Sequence, residues 1–312
     1  MTVLNYLRLK DGGVAVADEQ GSTAERHTNS FDKLLTIGLG GERKAIYGGT
    51  GPVNELFTTL YHDSQREFEQ KGISESLNQL RSAADAVRDV ITRYMVGEKD
   101  AILRNRMGFG LEDLSAGTLQ SGRSLSADSI NTSKQILGGL EGSKGLGILL
   151  GGIENDRFEI YGITNGGNRT QFYAPNATLG SGYDKSNEVL SGFVSGMTRE
   201  ERRTIPDDEG IVAAIEATNG SSDINNGVGG TPSIIYMAND GTIAIPREAQ
   251  CHQAQEVVRG LTQGFLEIDF VRGAVYDLVV KDKAPGTIEE EMMKEATDAK
   301  KFNDFLRGKK VH

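Results

Sequence analysis

What this 312-residue chain lacks narrows its chemistry first. It has a single cysteine, Cys251, so no disulfide can close within the chain and no thiolate set can hold a zinc ion. Its four histidines, His27, His62, His252 and His312, show no metal-ligand spacing, and no metal is expected. Tryptophan is absent and there are six prolines. No apolar run approaches the roughly 20 residues that span a bilayer. Residues 1–6 lack the basic-then-apolar pattern of a secretory signal, so a cytoplasmic location is expected. Basic excess is missing too: 34 Lys and Arg face 44 Asp and Glu, a net charge of −10. That balance argues against nucleic acid or an anionic membrane as partner, because both demand a basic face. Phosphate-binding loops fail as well. Gly38-Leu39-Gly40-Gly41 does not complete GxGxxG, no GxxxxGK[ST] occurs, and no G-x-S-x-G elbow is present. No cofactor is expected.

What is there describes a soluble, turn-rich globular chain, with 37% hydrophobic residues and 40 glycines. Residues 3–9 and 14–17, joined by Lys10-Asp11-Gly12-Gly13, read as a hairpin starting at the N-terminus. Residues 33–37 and 43–47 read as a second hairpin. Val53, Leu56, Phe57, Leu60 and Tyr61 then fall on one helical stripe. A second stripe runs from Ile73 through Leu77, Leu80, Ala84, Val87 and Ile91 to Tyr94. Residues 104–126, rich in Gly, Ser and Arg, show no period and read as a long loop or insertion. Strands are expected again at 147–153 and 157–163, turning at Glu154-Asn155-Asp156. Helices follow after Gly180-Ser181-Gly182 and at 207–218. A last hairpin, 233–238 and 242–246, turns at Asn239-Asp240-Gly241. The tail ends in a charged helix opened by Pro285-Gly286-Thr287, with Thr287 and Glu290 at capping-box spacing.

One residue near the start carries distinctive chemistry. Removal of Met1 would put an α-amine and a hydroxyl on Thr2, and such an amine can act as base for its own hydroxyl. Taken singly, Thr2 reads as the start of a strand, Asp18 as a turn cap and Lys33 as a solvated cation. Together they have a pattern. The VAVADEQG strand ends in Asp18, SFDKLLTIG carries Lys33, and AIYGGTGPVNELF joins a strand to a helix through glycines. GILLGGIENDRFEIYGITNGG, TLGSGYDKSNEVL and SSDINNGVGGTPSIIYMANDG follow in order. Across about residues 2–247 this resembles the proteasome β-subunit family of N-terminal-nucleophile (Ntn) hydrolases, including the bacterial ring peptidase and ancestral-β groups.

The resemblance implies an α+β fold, a four-layer αββα sandwich over 2–249. It would carry a helical insertion at about 96–145 and a C-terminal helical extension at 250–312 for docking or oligomerisation. It implies a threonine endopeptidase working through an acyl-enzyme on Thr2, inside a homo-oligomer that hides the site. A polypeptide substrate and an ATP-dependent unfoldase partner follow from the same resemblance. Lys33 would lower the α-amine pKa and Asp18 would orient Lys33. The Gly48 N–H would face the oxyanion, and Ser181 and Asp223 would support the amine and the Thr2 backbone. Gln20, Ile46 and Gly49 would meet substrate, with Ile46 favouring an apolar side chain. Two other outcomes of the same site are a connectase-like peptide ligase or small-amide hydrolase, and a catalytically silent ring subunit. The chain departs from the family in having Asn226 where a serine is common, a longer stretch between Gly51 and Gly147, and a longer tail.

Overall fold

The N-terminal run is apolar on both of its faces, which only a strand covered on both sides satisfies. The computed structural model describes residues 2–19, 21–22, 27–28, 33–50, 54–76, 78–143, 146–224 and 228–308. In it the run forms β1 (Val3–Arg8) and turns back into β2 (Gly12–Ala17). The short strands β3 (Gly21–Ser22) and β4 (His27–Thr28) pair with each other. A second hairpin follows, β5 (Leu34–Gly40) and β6 (Arg43–Thr50), then helices α1 (Asn54–Gln70), α2 (Gln79–Met107), α3 (Leu111–Ala116) and α4 (Ala127–Ser143). Next come β7 (Gly147–Glu154), β8 (Arg157–Thr164), β9 (Arg169–Gln171) and β10 (Asn176–Gly180). Helices α5 (Tyr183–Ser195) and α6 (Asp207–Ile224) precede the hairpin of β11 (Ser233–Ala238) and β12 (Ile243–Ala244). The chain ends in α7 (Glu248–Thr262), α8 (Ile268–Val279), α9 (Pro285–Glu295) and α10 (Ala299–Leu306).

Two five-stranded antiparallel sheets result, ordered β10-β1-β2-β11-β12 and β5-β6-β7-β8-β9. Side-chain alternation along each strand decides what each face touches. In the first sheet Leu7, Val14, Val16, Ile234 and Tyr236 pack against the helices from α5 onward. Their neighbours in sequence, Tyr6, Ala15, Ala17, Ile235 and Met237, point the other way and meet Leu34, Ile46, Leu149, Phe158 and Ile160 of the second sheet. The opposite face of that sheet, with Ala45, Tyr47, Ile148, Leu150, Tyr161 and Ile163, packs on α1 and α2 through Leu60, Leu80, Ala84, Val87 and Ile91. Each such Leu or Ile, fully buried, contributes about 1.5–3 kcal/mol of transfer free energy. No described helix is long and apolar enough to cross a membrane.

Several expectations change in detail. The stretch 104–126 is not a long loop: α2 continues to Met107, α3 follows, and only 117–126 link it to α4. Gly and Ser in α4 hide its periodicity, and α4 takes its place by packing on α2. Strands β9 and β10 are additions, because short polar runs such as NATLG become strands only by pairing with β8 and β1. The charged tail helix opens with Ala284 as its cap and Pro285 as its first residue, the place where a missing N–H costs nothing. Thr287 therefore lies inside it and is no cap. That helix stops at Glu295, and Asp298 caps a separate α10 by accepting from the Lys301 N–H at 3.0 Å.

No break in packing marks a boundary at 249/250. Cys251, Val257, Val258, Val271, Val275, Leu278, Ile288, Met292 and Phe302 share one core with Leu7, Val16 and Ile234. Burial pushes the Cys251 thiol up to about 12, which makes it a packing group and not a nucleophile.

Candidate active site

Strand pairing assembles a polar cluster at the start of β1. Its register with β2 sets Leu4 opposite Ala17, so Asp18 arrives beside Thr2 and Val3. The Asp18 Oδ1 accepts the Val3 N–H at 2.7 Å, and the Asp18 N–H donates to the Val3 carbonyl at 3.3 Å. A further N–H, from Gly229, donates to the same carboxylate. Lys33, just before β5, places Nζ 2.8 Å from Asp18 Oδ2. Thr2 is 9% exposed, Asp18 1% and Lys33 7%, so this ion pair is a buried one.

The other neighbour of β1 brings the Gly-Ser-Gly turn. Val3 lies opposite Gly180 in β10, and the Thr2 nitrogen is 3.0 Å from Ser181 Oγ. With Met1 attached that nitrogen is a peptide N–H donating to the serine; it occupies the place a free α-amine would take. The Gly182 N–H donates to the Thr2 carbonyl at 3.2 Å. Glycine at 180 has two reasons: φ is +104°, and a Cβ there would stand 2.0 Å from the Thr2 carbonyl oxygen. Ser181 itself is exposed, so the cluster opens to solvent on that side.

The glycines at 48 and 49 lie on β6, the strand paired with β5, beside Lys33. Gly48 pairs with Leu34, and the Gly49 N–H donates to the Lys33 carbonyl at 3.1 Å. Both are packed against rings. A Cβ on Gly48 would stand 2.7 Å from the Tyr6 hydroxyl, and one on Gly49 would stand 2.2 Å from the Phe57 ring. Tyr6 in turn donates to the Leu149 carbonyl at 3.2 Å.

Electrostatics follow from burial. Desolvation raises the Asp18 carboxyl above its ordinary range, and the Lys33 charge only partly opposes this. Desolvation likewise lowers Lys33, against the pull of Asp18. A loosely held proton on a buried ammonium, fixed by a carboxylate, is a local positive charge able to depress the basicity of an adjacent amine.

The structure thus gathers Thr2, Asp18, Lys33 and Ser181, with Gly48 and Gly49 on the strand next to Lys33. It does not bring Asp223 to them. The helix expected at 207–218 runs on to Ile224, so Asp223 sits on its last turn, exposed, with no hydrogen bond or ion pair to another described residue. Ile46 is fully buried between the two sheets among Leu4, Tyr6 and Leu34. Gln20, Gly51 and Asn226 lie outside the described residues.

Residues that spacing did not single out support the site from below. Ser221 is buried and donates to the Gly182 carbonyl at 2.9 Å, pinning the turn that carries Ser181. In Ser221-Ser222-Asp223 the acid draws attention, yet the helix aims Ser221 inward. Asn5 donates to Thr218 at 2.9 Å and accepts from Thr178 and Ser186, tying β1 to α6, β10 and α5. An Asn in an apolar strand, at the face that meets a helix, is the signal that could have found this network.

No protein-family model matches the sequence, and no curated protein matches it. Solved structures do share its fold. An Anbu (ancestral β-subunit) from Yersinia bercovieri is similar at a TM-score of 0.57 and 14% identity, over 85% of this chain and 94% of that one. A mutant Anbu from Hyphomicrobium sp. strain MC1 is similar at 0.53 and 14% identity, over 86% of this chain and 98% of that one. The chain therefore has a fold like that of the Anbu ancestral β-subunits.

Proposed function

We propose that this chain is a threonine-nucleophile hydrolase of the proteasome β-subunit type that cleaves peptide bonds. The observation that carries the reading is the buried Lys33–Asp18 pair, whose carboxylate accepts the N–H of Val3, the residue after Thr2, while the Thr2 nitrogen meets Ser181 Oγ at 3.0 Å. A buried ion pair adds little stability, so its position beside a candidate N-terminal hydroxyl is the informative fact.

In the proposed reaction, loss of Met1 frees the Thr2 α-amine. The amine takes the proton of Thr2 Oγ as the oxygen attacks the substrate carbonyl. Lys33 keeps the amine's pKa low enough for that exchange, and Asp18 keeps Lys33 in place. The Gly48 N–H stabilises the oxyanion, a role worth about 3–4 kcal/mol. The protonated amine then gives its proton to the leaving amine, and water hydrolyses the ester on Thr2. Ser181 hydrogen-bonds the amine. The helix–sheet–sheet–helix packing is read as a four-layer αββα sandwich. A homo-oligomer enclosing the site, an unfolded polypeptide substrate, an unfoldase partner and a cytoplasmic location belong to the same proposal.

An intact-mass measurement before and after exposure to a peptide epoxyketone tests it, because that electrophile needs both the hydroxyl and the α-amine. The expected result is a mass lacking Met1, one adduct, and no adduct in Thr2→Ala. Retained Met1 without an adduct would overturn the reading in favour of a silent subunit. If the chain forms the adduct and, in a separate assay with a peptide substrate, passes the substrate's acyl group to an added amine in place of water, the assignment becomes a ligase.

A further inference from the structure

The chain carries a net charge of −10, yet one concavity reverses that sign. A groove of about 780 Å³ lies at the far end of β1, about 20 Å along the strand from Thr2 at the usual rise per residue. Its walls are the start of β8, the segment 172–176 that joins the two sheets, and residues 197–203 after α5. Arg8, Arg157, Arg199, Arg202 and Arg203 line it, with Glu159 as the one carboxylate and no lysine.

That carboxylate is already engaged. Arg8 Nη2 lies 2.7 Å from Glu159 Oε2, and the same guanidinium donates to the Phe158 and Phe172 carbonyls at 2.7 and 3.3 Å. Arg202 donates Nε to the Val194 and Met197 carbonyls, at 3.0 and 3.1 Å. Arg157, Arg199 and Arg203 have no acidic partner among the described residues. Like-charged side chains gathered at one concavity concentrate positive potential there, and an anion in the groove would meet it. The exclusive use of arginine points to planar, two-pronged recognition of oxyanions, where lysine would act as a point charge.

The shape selects among anions. A peptide strand sets same-side carboxylates about 7 Å apart in a line. Here the guanidinium groups come from β8 and from the 197–203 segment, and they surround a concavity. A compact ligand with several charges on neighbouring atoms meets them together.

We propose that this groove is a binding site for a compact oligophosphate group, held by Arg157, Arg199 and Arg203. Whether the group is free or part of a larger metabolite, the recognised chemistry is the same. The site is separate from Thr2 and does not depend on the reading given for it.

Calorimetric titration of the full chain with inorganic tripolyphosphate at low salt tests this, together with the thermal midpoint with and without the ligand. Binding should weaken by about tenfold or more in the triple variant Arg157→Gln, Arg199→Gln, Arg203→Gln. The ligand should raise the midpoint of the parent chain and not that of the triple variant. These exposed arginines are unpaired, so the variant's own midpoint without ligand should stay where it was. Loss of Arg106 and Lys134, exposed cations on α2 and α4, should leave binding unchanged. Absence of binding, equal binding by the triple variant, or an equal loss in the Arg106/Lys134 variant would overturn the site. Tighter binding of a glutamate-rich peptide of the same charge would overturn the assignment to phosphate. A nucleoside triphosphate binding more tightly than tripolyphosphate would support it and identify a larger metabolite as the source.

Discussion

Two ion-pair regions of this molecule use the same chemistry and titrate in opposite senses. On the surface where α1 meets α2, Lys71 reaches Asp89 at 2.6 Å and Glu67 at 3.2 Å, and Arg88 reaches Asp85 and Asp89 at 2.8 Å. The hydrogen bond to Asp89 raises Lys71, and the bonds Asp89 accepts outweigh its partial burial and lower it. Beside Thr2 the pair is nearly as short, yet Lys33 is lowered and Asp18 raised, because desolvation dominates both. The surface pairs favour their own charges; the buried pair keeps its charges against the preference of its surroundings. A pair of the second kind is weak evidence for stability, and its reason has to be sought in what it does to Thr2.

The largest expected effect breaks that buried pair one partner at a time. Lys33→Met leaves the Asp18 carboxylate buried and alone, and should cost about 3–5 kcal/mol in urea denaturation. Removing both charges, as Lys33→Met with Asp18→Asn, should recover most of that loss. The Asn oxygen can still accept from the Val3 N–H. Modification of Thr2 by epoxyketone should fall by about 10²-fold or more in both variants, in line with loss of a group that tunes proton transfer. A double variant as unstable as the single one would show the pair to be structural.

The pH dependence of stability separates the regions next. A raised carboxyl holds its proton longer folded than unfolded. The Asp18 site therefore loses stability as pH climbs from the ordinary carboxylate range through its own raised value. A lowered ammonium binds protons less when folded, so stability at Lys33 recovers as pH rises from its lowered value to the ordinary amine range. Parent minus double variant should show both trends. The surface group Asp89, being lowered, should do the reverse: its contribution is present above the carboxylate range and lost as pH falls through its lowered value. Denaturation series at several pH values, on the parent and on Asp89→Asn, would read the two signs directly.

A smaller effect is expected at the support of the Gly-Ser-Gly turn. Ser221→Ala removes the donor to the Gly182 carbonyl and should cost about 1–2 kcal/mol while slowing adduct formation at Thr2. Its neighbour Ser222, among the described residues, bonds only back along the same helix, to the Thr218 carbonyl at 3.1 Å. Ser222→Ala should change neither, and equal effects from the two would remove Ser221 from the site.

Why Ser221 escaped a reading of the sequence explains much of what was legible. Strands that are apolar runs bounded by turn residues were visible with nearly correct ends: VAVA in β2, GILLGGI in β7 and RFEIYGI in β8. The Asn155-Asp156 turn was visible too, and both residues adopt the positive φ that such side chains tolerate. The family resemblance, not local pattern, singled out Thr2, Asp18, Lys33 and Ser181, and strand pairing sets them near one another at the start of β1. The placement of Asp223 and Ser221 was not legible, because their facing depends on where α6 stops. A helix ending near residue 218 would leave the acid in a turn; six more residues of helix rotate it to solvent and Ser221 inward. The tail was hidden in a similar way. Its amphipathic helices read as a docking or oligomerisation extension, and their apolar faces share a core with the first sheet of the same chain.

The smallest effect sharpens the opening contrast most cleanly, through salt. Lys71→Gln removes a partner from both Glu67 and Asp89, yet the side chain is 38% exposed and that of Asp89 33%. Water and ions screen such pairs, so the loss should be about 0.5–1 kcal/mol at low salt. At roughly 1 M salt, where the screening length shrinks to about 3 Å, the loss should largely vanish. The penalty of Lys33→Met should persist at the same salt, because ions do not reach a carboxylate that is 1% exposed. Denaturation of both variants at the two salt concentrations gives four numbers. If the Lys33→Met penalty also fades with salt, the site is wetter than its burial indicates, and the argument that desolvation tunes Lys33 for Thr2 fails with it.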